Sequence, residues 1–353
     1  MTEKRRVGIR DVAERAGVSV ATVSRILNDS YTAAPRTREK VAQAVRELGY
    51  VANPHARALT RPASAPVALV LRMLDDGFLL ELTQTLTGAL AEAGRLCLIA
   101  TTAGDPEREL QAVRRLRAQA VEAVVMIGSV VDDDAYQRGM ADEARALAAA
   151  GGRLVLCARP PLHADLEQSV VQYDGEGGAE QAIAQLTALG HRRILQVSGP
   201  ADQSITRERQ RGWRRALEAA DGDLDPALVV GPAWDRDSGR AVMEAVLANG
   251  LSGFTAVVAH TDQVAAGVLI ALDDAGIRVP EDVSVVGFDD AAFAADLRLT
   301  TVRIPARELG LAAAQLALGQ EPDAVMLPTA MVERSTTAPP RSHQRGQSTS
   351  PGR

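Results

Sequence analysis

The chain has 353 residues, of which 46% are hydrophobic, 24% charged and 3% aromatic, with a net charge of −6. That length exceeds one core of the commonest size and predicts two or three domains. No apolar stretch reaches the roughly 18–20 residues of a membrane-spanning helix, and the charged start runs straight into an amphipathic pattern without a signal-like apolar segment, so a cytoplasmic protein is expected.

The charge is unevenly spread. Met1–Arg61 holds twelve basic residues against six acids, a balance of +6 that leaves −12 for the remainder. A basic head on an acidic body points to a polyanion as partner of the head alone.

In chain order, Ile9, Val12, Ala13 and Ala16 fall on one face of a helix of about two turns. Gly17 suits the left-handed residue that ends it, and Ser19 suits the N-cap of a second helix over Val20–Leu27. Two helices joined by so short a glycine-containing turn form a helix-turn-helix, whose second helix enters a DNA major groove N-terminal residues first. A third helix is predicted from Pro35 to about Leu48, closed by Gly49. Ala34 before it lacks the capping hydroxyl usual at that position, an omission that costs about 1 kcal/mol. The segment "NPHARALTRP" follows, with Asn53 as cap and Pro62 as stop. Its six or seven residues fall well below the roughly 12–15 that a lone helix needs, so it is helical only when something packs on it.

The stretches "IRDVAERAGVSVATVSRILND" and "TREKVAQAVRELGYVANPHARAL" resemble the head and hinge of the lactose/galactose-repressor family of bacterial transcription regulators, and the resemblance continues to about residue 335. It implies DNA contacts from Ser19, Val20, Ala21, Thr22, Ser24, Arg25 and Asn28 in the head, and from Asn53, Ala58 and Leu59 in the hinge. Val20 and Ala21 then lie at base-reading positions, Arg25 reaches the groove, and Thr22 and Ser24 meet phosphates. Leu59 matches the leucine that wedges into the minor groove at the operator centre, where unstacking a base step kinks the duplex.

From Pro66 onward apolar runs alternate with helical stretches. The runs are 67–71, 96–100, 123–127, 154–158, 170–174, 194–198, 256–260 and 283–288. Apolar strands with helical crossovers predict parallel sheets covered on both faces, with ligand-binding residues just past the strand ends. The expected fold is α/β: a three-helix head at 1–50, a hinge at 51–65, and a periplasmic-binding-protein-like body of two subdomains at 66–335. A disordered tail is expected at 336–353.

The resemblance also implies an effector site. Arg209 in "RERQRGW" matches the family arginine that grips the ligand, since a guanidinium bridges two hydroxyls or a carboxylate; its alternative is a surface ion pair. Asp289 in "VGFDD" lies past a strand, where a carboxylate can accept two hydroxyls, or it only shapes a turn. Trp234 in "GPAWDRDSG" matches a ring that stacks on the ligand, Phe78 is a candidate for the opposite wall, and Asp262 in "HTDQVAAG" completes the set. Two departures remove hydrogen-bonding partners: Ala158 stands where many members carry aspartate, and Thr261 where many carry asparagine.

Other motifs read as structural. "DGEGG" at 174–178 lacks dinucleotide spacing and reads as a strand-to-helix turn. The acids at 132–134 start a helix and are favoured there by its dipole. His191 reads as a helix C-terminal cap, and Cys97 and Cys157 as buried thiols rather than a disulfide. No catalytic or metal-ligating constellation emerges and no cofactor is expected. The chain is read as a homodimeric, non-enzymatic repressor of a near-palindromic duplex operator, controlled by a sugar-like effector and without membrane contact. Rival readings are a corepressor-dependent regulator sensing a purine, and a free solute-binding receptor, which would carry no basic head.

The shortness of the hinge sets a first test. Amides of Asn53 to Thr60 should exchange freely in the DNA-free protein and gain protection on operator. Strong protection without DNA would contradict folding coupled to binding.

Overall fold

A computed structural model describes residues 7–27, 34–50, 65–74, 77–163, 166, 168–250, 252–322 and 325–341. The hinge expected at 51–65 lies almost wholly outside them, so Asn53, Ala58 and Leu59, together with Asn28, fall outside the described residues. The chain divides into two compact units, a head and a body.

The head consists of α1 (Ile9–Ala16), α2 (Val20–Leu27) and α3 (Pro35–Leu48). Gly17 ends α1 at φ 67°, a conformation that a side chain would strain. Ser19 Oγ then accepts from the amide of Thr22 at 3.1 Å and opens α2. Ala34 makes no side-chain cap, and α3 starts instead on Pro35, whose missing N–H leaves no orphan donor. Val12, Ala13, Ala16, Val23, Ile26, Val41 and Ala44 form a small core of their own. An ion pair from Arg15 to Glu47 joins α1 to α3 outside that core.

The body starts with β1 (Val67–Leu71), α4 (Gly77–Glu92), β2 (Cys97–Thr101), α5 (Pro106–Ala118), β3 (Ala123–Ile127), α6 (Asp134–Ala149), β4 (Arg153–Cys157) and β5 (Ser169–Tyr173). It continues with α7 (Gly175–Ala188), β6 (Ile194–Val197), α8 (Ser204–Ala219), β7 (Val229–Val230), α9 (Arg236–Ala248), β8 (Ala256–Ala259), α10 (Asp262–Asp274) and β9 (Ser284–Asp289). The last elements are α11 (Ala292–Asp296), β10 (Thr300–Arg303), α12 (Ala306–Ala317), β11 (Met326–Leu327) and β12 (Ala330–Val332).

Two sheets result, in the orders β11-β5-β4-β3-β1-β2 and β12-β10-β9-β8-β6-β7. Neighbours are parallel except β12 against β10. The chain passes from the first sheet to the second after β5, returns after β10, and crosses again between β11 and β12. The central strands β1, β3 and β8 are buried along their whole length, which is why they read as unbroken apolar runs rather than alternating ones.

The first sheet is fastened by a buried charge cluster. Arg159 donates to both oxygens of Glu109 (2.9 and 3.0 Å), to the Tyr136 hydroxyl (2.7 Å), and to the carbonyls of Gly128 and Ser129 (both 3.0 Å). All five guanidinium donors are thereby used. The cluster fixes the loop after β3 and the turn after β4, where Ala158 takes φ 53°.

Several structural readings can now be compared with the fold. Asp174 caps α7 through the Gly177 amide at 2.7 Å, and a Cβ on Gly178 would lie 2.7 Å from Thr329 Oγ1. The glycine run at 174–178 is therefore a tight turn with close packing. Asp133 caps α6 through the Tyr136 amide at 2.6 Å. His191 closes α7 through its backbone, the amide donating to the Leu186 carbonyl at 3.1 Å, while its ring bonds Thr255 Oγ1 at 2.8 Å and the Ala338 carbonyl at 2.9 Å. Cys97 and Cys157 are free thiols; they lie on β2 and β4 with two strands between them, too far apart to bridge.

The body also extends further than expected. Packing continues to Arg341 rather than ending at 335, because Thr336 exchanges hydrogen bonds with Val285 and the Ala338 carbonyl is held by His191 and Ser284. No described helix is long and apolar enough to cross a membrane.

Glu109→Ala should strand the Arg159 charge inside the first sheet and destabilise the body by about 3–5 kcal/mol. Urea unfolding followed by tryptophan fluorescence would read it. A loss below about 1 kcal/mol would mean that the cluster contributes little.

Candidate DNA-reading helix and effector cleft

On the head, α2 buries Val23 and Ile26 and turns Val20, Ala21 and Arg25 to solvent. Thr22 and Ser24 are half-buried beside them, and Ser19 is exposed at the helix start. The residues expected to read bases thus share the face opposite the core, with the N-terminal end of the helix available to a groove.

In the body, most candidate effector residues stand at or near strand ends. Arg209 on α8 is fully enclosed, which excludes the alternative of a surface ion pair. Its guanidinium donates to Asp289 Oδ1 at 3.3 Å, to the Tyr173 hydroxyl at 3.4 Å and to the carbonyl of His260, and it lies 3.7 Å from the centre of the Phe288 ring. Tyr173 ends β5 of the first sheet, whereas Asp289 and His260 stand at the ends of β9 and β8 in the second. One cation therefore joins both sheets.

Aromatic rings flank this cation. Phe78, near the start of α4, meets Tyr173 edge-on with centroids 6.0 Å apart. Trp234 is half-buried with its ring 5.5 Å from that of His260, and the Arg72 guanidinium lies over the indole at 4.3 Å. Phe78, Arg209, Trp234 and Asp289 are thus brought together through Tyr173 and His260.

Asp262 occupies a different place. Expected among ligand contacts, it is completely enclosed, with Oδ1 accepting from the Thr301 hydroxyl at 2.5 Å and Oδ2 from the Ala291 amide at 2.8 Å. Both oxygens serve the protein, holding the turn after β9. That turn is strained: Asp289 has φ 124° and Asp290 φ 58°, positions that residues with a side chain rarely adopt. Asp290 is anchored in turn by Arg303 at 2.7 Å and Arg334 at 2.6 Å. Asp262 therefore positions Asp289 rather than facing the cleft.

Two more positions offer a ligand little. Ala158 has no polar side chain, and the Thr261 hydroxyl caps α10 through the Val264 amide at 3.2 Å. Among the described residues no group of three or more His, Cys, Asp or Glu could hold a metal ion. The residues around Arg209 and Trp234 that sequence reasoning missed are Arg72, Tyr173, Thr206 and His260. Three of them sit at or just past the ends of β1, β5 and β8, where the strand-end rule already pointed.

A helix-turn-helix head on a two-lobed α/β body defines a ligand-responsive DNA-binding regulator. Comparison with known proteins agrees. Residues 8–53 match the model for bacterial regulatory proteins of the lacI family, and residues 183–341 match the periplasmic binding protein-like domain. The chain is 35% identical to the HTH-type transcriptional regulator CelR of Thermobifida fusca over 95% of its own length and 100% of the relative's. It is 32% identical to GalR of Escherichia coli K12 over 88% of both chains. Among solved structures, the lac repressor dimer bound to operator and the anti-inducer ONPF covers 95% of this chain with a TM-score of 0.76 and 28% identity, matching 100% of that chain. The CelR–cellobiose complex covers 94% with a TM-score of 0.67 and 32% identity, again matching 100% of that chain. The chain belongs to the lacI family of bacterial regulatory proteins; it is a DNA-binding transcription regulator and not an enzyme.

Enclosure predicts a pH signature at Asp262. Burial pushes its carboxyl up to about 7 against the hydrogen bonds from Thr301 and Ala291, whereas an unfolded aspartate titrates near 3.9. The folded state therefore binds the proton more tightly. Its stabilising contribution is complete below about pH 4 and is lost as pH rises through 7, at up to about 1.4 kcal/mol per pH unit. In Asp262→Asn the amide oxygen can still accept from Ala291 and the amide N–H can donate to Thr301, so this slope should vanish. Melting temperatures of both proteins at pH 5 and 8 test it; parallel shifts would rule the assignment out.

Proposed function

We propose that this protein is a cytoplasmic repressor that binds a near-palindromic operator as a homodimer and releases or tightens it on binding a sugar-like effector in the body cleft. The observation that supports an effector there is the enclosed Arg209 guanidinium, paired with Asp289 and Tyr173 beside the half-buried ring of Trp234. A carboxylate and a guanidinium fixed side by side present acceptor and donor to adjacent hydroxyls, while the indole offers a flat apolar face. Phe78 would form the other wall through its contact with Tyr173. The body also leaves apolar side chains for a second copy: Leu80 on α4 is 44% exposed and Ile99 on the edge strand β2 is 47% exposed.

On the DNA side, Arg25 would read a base edge and Thr22 and Ser24 would meet phosphates, with Ser19, Val20, Ala21 and Asn28 beside them. Asn53, Ala58 and Leu59 would act from the hinge. A ligand alters DNA affinity only by its differential affinity for two conformations of the protein. A hundredfold effect needs about 2.7 kcal/mol, within reach of one charge-assisted hydrogen bond and partial stacking.

The test has two arms. Selection of duplexes from a genomic library should enrich a two-fold symmetric site, with affinity falling steeply with salt and sharply in Leu59→Ala. Calorimetry with neutral sugars, sugar phosphates and purines should then identify a ligand whose effect on operator binding disappears in Arg209→Ala, while that variant still binds operator. No duplex enriched over random DNA overturns the repressor reading. Unchanged ligand affinity in Arg209→Ala overturns the cleft.

A further inference from the structure

Two helix threonines in the body satisfy their hydroxyls locally: Thr87 donates to the Thr83 carbonyl at 2.7 Å and Thr187 to the Ile183 carbonyl at 3.0 Å. Thr206, on α8, does not. Its hydroxyl is fully enclosed and has no hydrogen-bond partner among the described residues. The same holds for both ring nitrogens of His260, which is equally enclosed. These side chains come from different elements, yet their polar tips converge. A Cβ placed on Gly199, just past β6, would lie 2.5 Å from His260 Nε2 and 2.6 Å from Thr206 Oγ1. Both tips thus pack directly on the Gly199 backbone, a corner where only glycine fits.

The corner adjoins the effector cleft. Thr206 precedes Arg209 by one helical turn on the same face of α8, the His260 carbonyl accepts from Arg209, and the His260 ring packs against Trp234. We infer that His260 and Thr206 are specificity-determining contacts of the effector site, and that they select an uncharged polyhydroxy ligand over its phosphorylated or carboxylated derivatives. The inference rests on the cleft reading given above.

The chemistry follows from the groups present. Full burial and the nearby Arg209 charge hold the His260 imidazole well below its usual pKa, hence neutral. A neutral imidazole offers one donor and one acceptor, and a threonine hydroxyl offers both. That set matches a ligand hydroxyl, which also gives and takes. An anion instead requires uncompensated positive charge, and the cleft supplies little. Arg209 is already answered by Asp289, while Arg72 rests on the Trp234 ring and acts on Asp235. With Ala158 apolar and Thr261 engaged in capping, hydroxyl recognition beyond the Arg209–Asp289 pair falls to His260 and Thr206.

The test is titration calorimetry on the full chain with cellobiose, galactose and glucose beside galactose 6-phosphate, glucose 6-phosphate and gluconate. At least one neutral sugar should bind, and its charged derivatives should bind at least tenfold more weakly. Thr206→Val, nearly isosteric, and His260→Leu should each weaken that sugar at least tenfold, with His260→Asn restoring part of the affinity. Melting temperatures without sugar are read beside the affinities, and His260→Asn keeps the assignment falsifiable should His260→Leu not fold. Binding of charged compounds alone, of none of the six, or equal affinity in Thr206→Val and His260→Leu overturns the inference. If Arg209→Ala abolishes binding while the Thr206 and His260 variants retain it, the cleft stands and only this assignment falls. If all three retain it, the cleft falls too.

Discussion

A guanidinium withdrawn completely from water is the constraint on which the body's architecture turns. Arg209 cannot be buried unless its charge is answered, and each answering group must itself be held in place. Asp289 answers it from a turn with two consecutive positive φ angles, a conformation that costs of order 1–3 kcal/mol per residue. Arg303 and Arg334 hold the next residue, Asp290, while Asp262 holds the amide of Ala291. The strained turn is thus fixed from both sides, and its rigidity places the Asp289 carboxylate against the cation. Tyr173 completes the set from the other sheet, so the cluster also ties the two lobes together.

The body contains a second enclosed arginine, and the contrast assigns their roles. Arg159 spends all five donors on Glu109, Tyr136 and two carbonyls. It has nothing left for a ligand and acts as a fastener. Arg209 leaves its Nε without a hydrogen-bond partner among the described residues, next to two further unpartnered side chains. Buried polar groups in folded proteins are overwhelmingly paired, so a local group of exceptions beside Arg209 supports the proposed ligand contacts there. Two arginines of similar burial are distinguished by their unused valence.

Much of this was legible in the sequence. Helical periodicity and end signals located α1, α2 and α3, and apolar runs located the central strands within a residue or two, because burial on both faces leaves little choice of composition. The strands that escaped were β7, β10, β11 and β12. Three of these are two or three residues long. The fourth, β10, begins with Thr300 and Thr301, which read as polar yet are fully buried, because Asp262 and the segment around Arg334–Thr337 take up their hydroxyls. The site divides along the same line. Arg209, Trp234 and Asp289 were readable from motifs, but no spacing rule reveals that Asp262 spends its oxygens inside the protein or that the His260 ring leaves both nitrogens unspent. Those facts depend on which groups tertiary packing brings together from far along the chain.

That packing also bears on how a ligand could control a basic head. Phosphate neutralisation gives the head an affinity for any duplex, so a ligand must act through conformation, with energy that differs between two body states. Bonds within one lobe would not differ, since each lobe's core is a close-packed unit unchanged by lobe movement. The Arg209 cluster does not lie within one lobe: its partners end β5 on one side and β8 and β9 on the other. Any shift between the sheets changes the distances from Arg209 to Tyr173, Asp289 and the His260 carbonyl unequally. A ligand bonded to this cluster therefore senses lobe geometry directly, and hydrogen bonds to charged groups, at about 1.5–3 kcal/mol each, are of the size that hundredfold control requires.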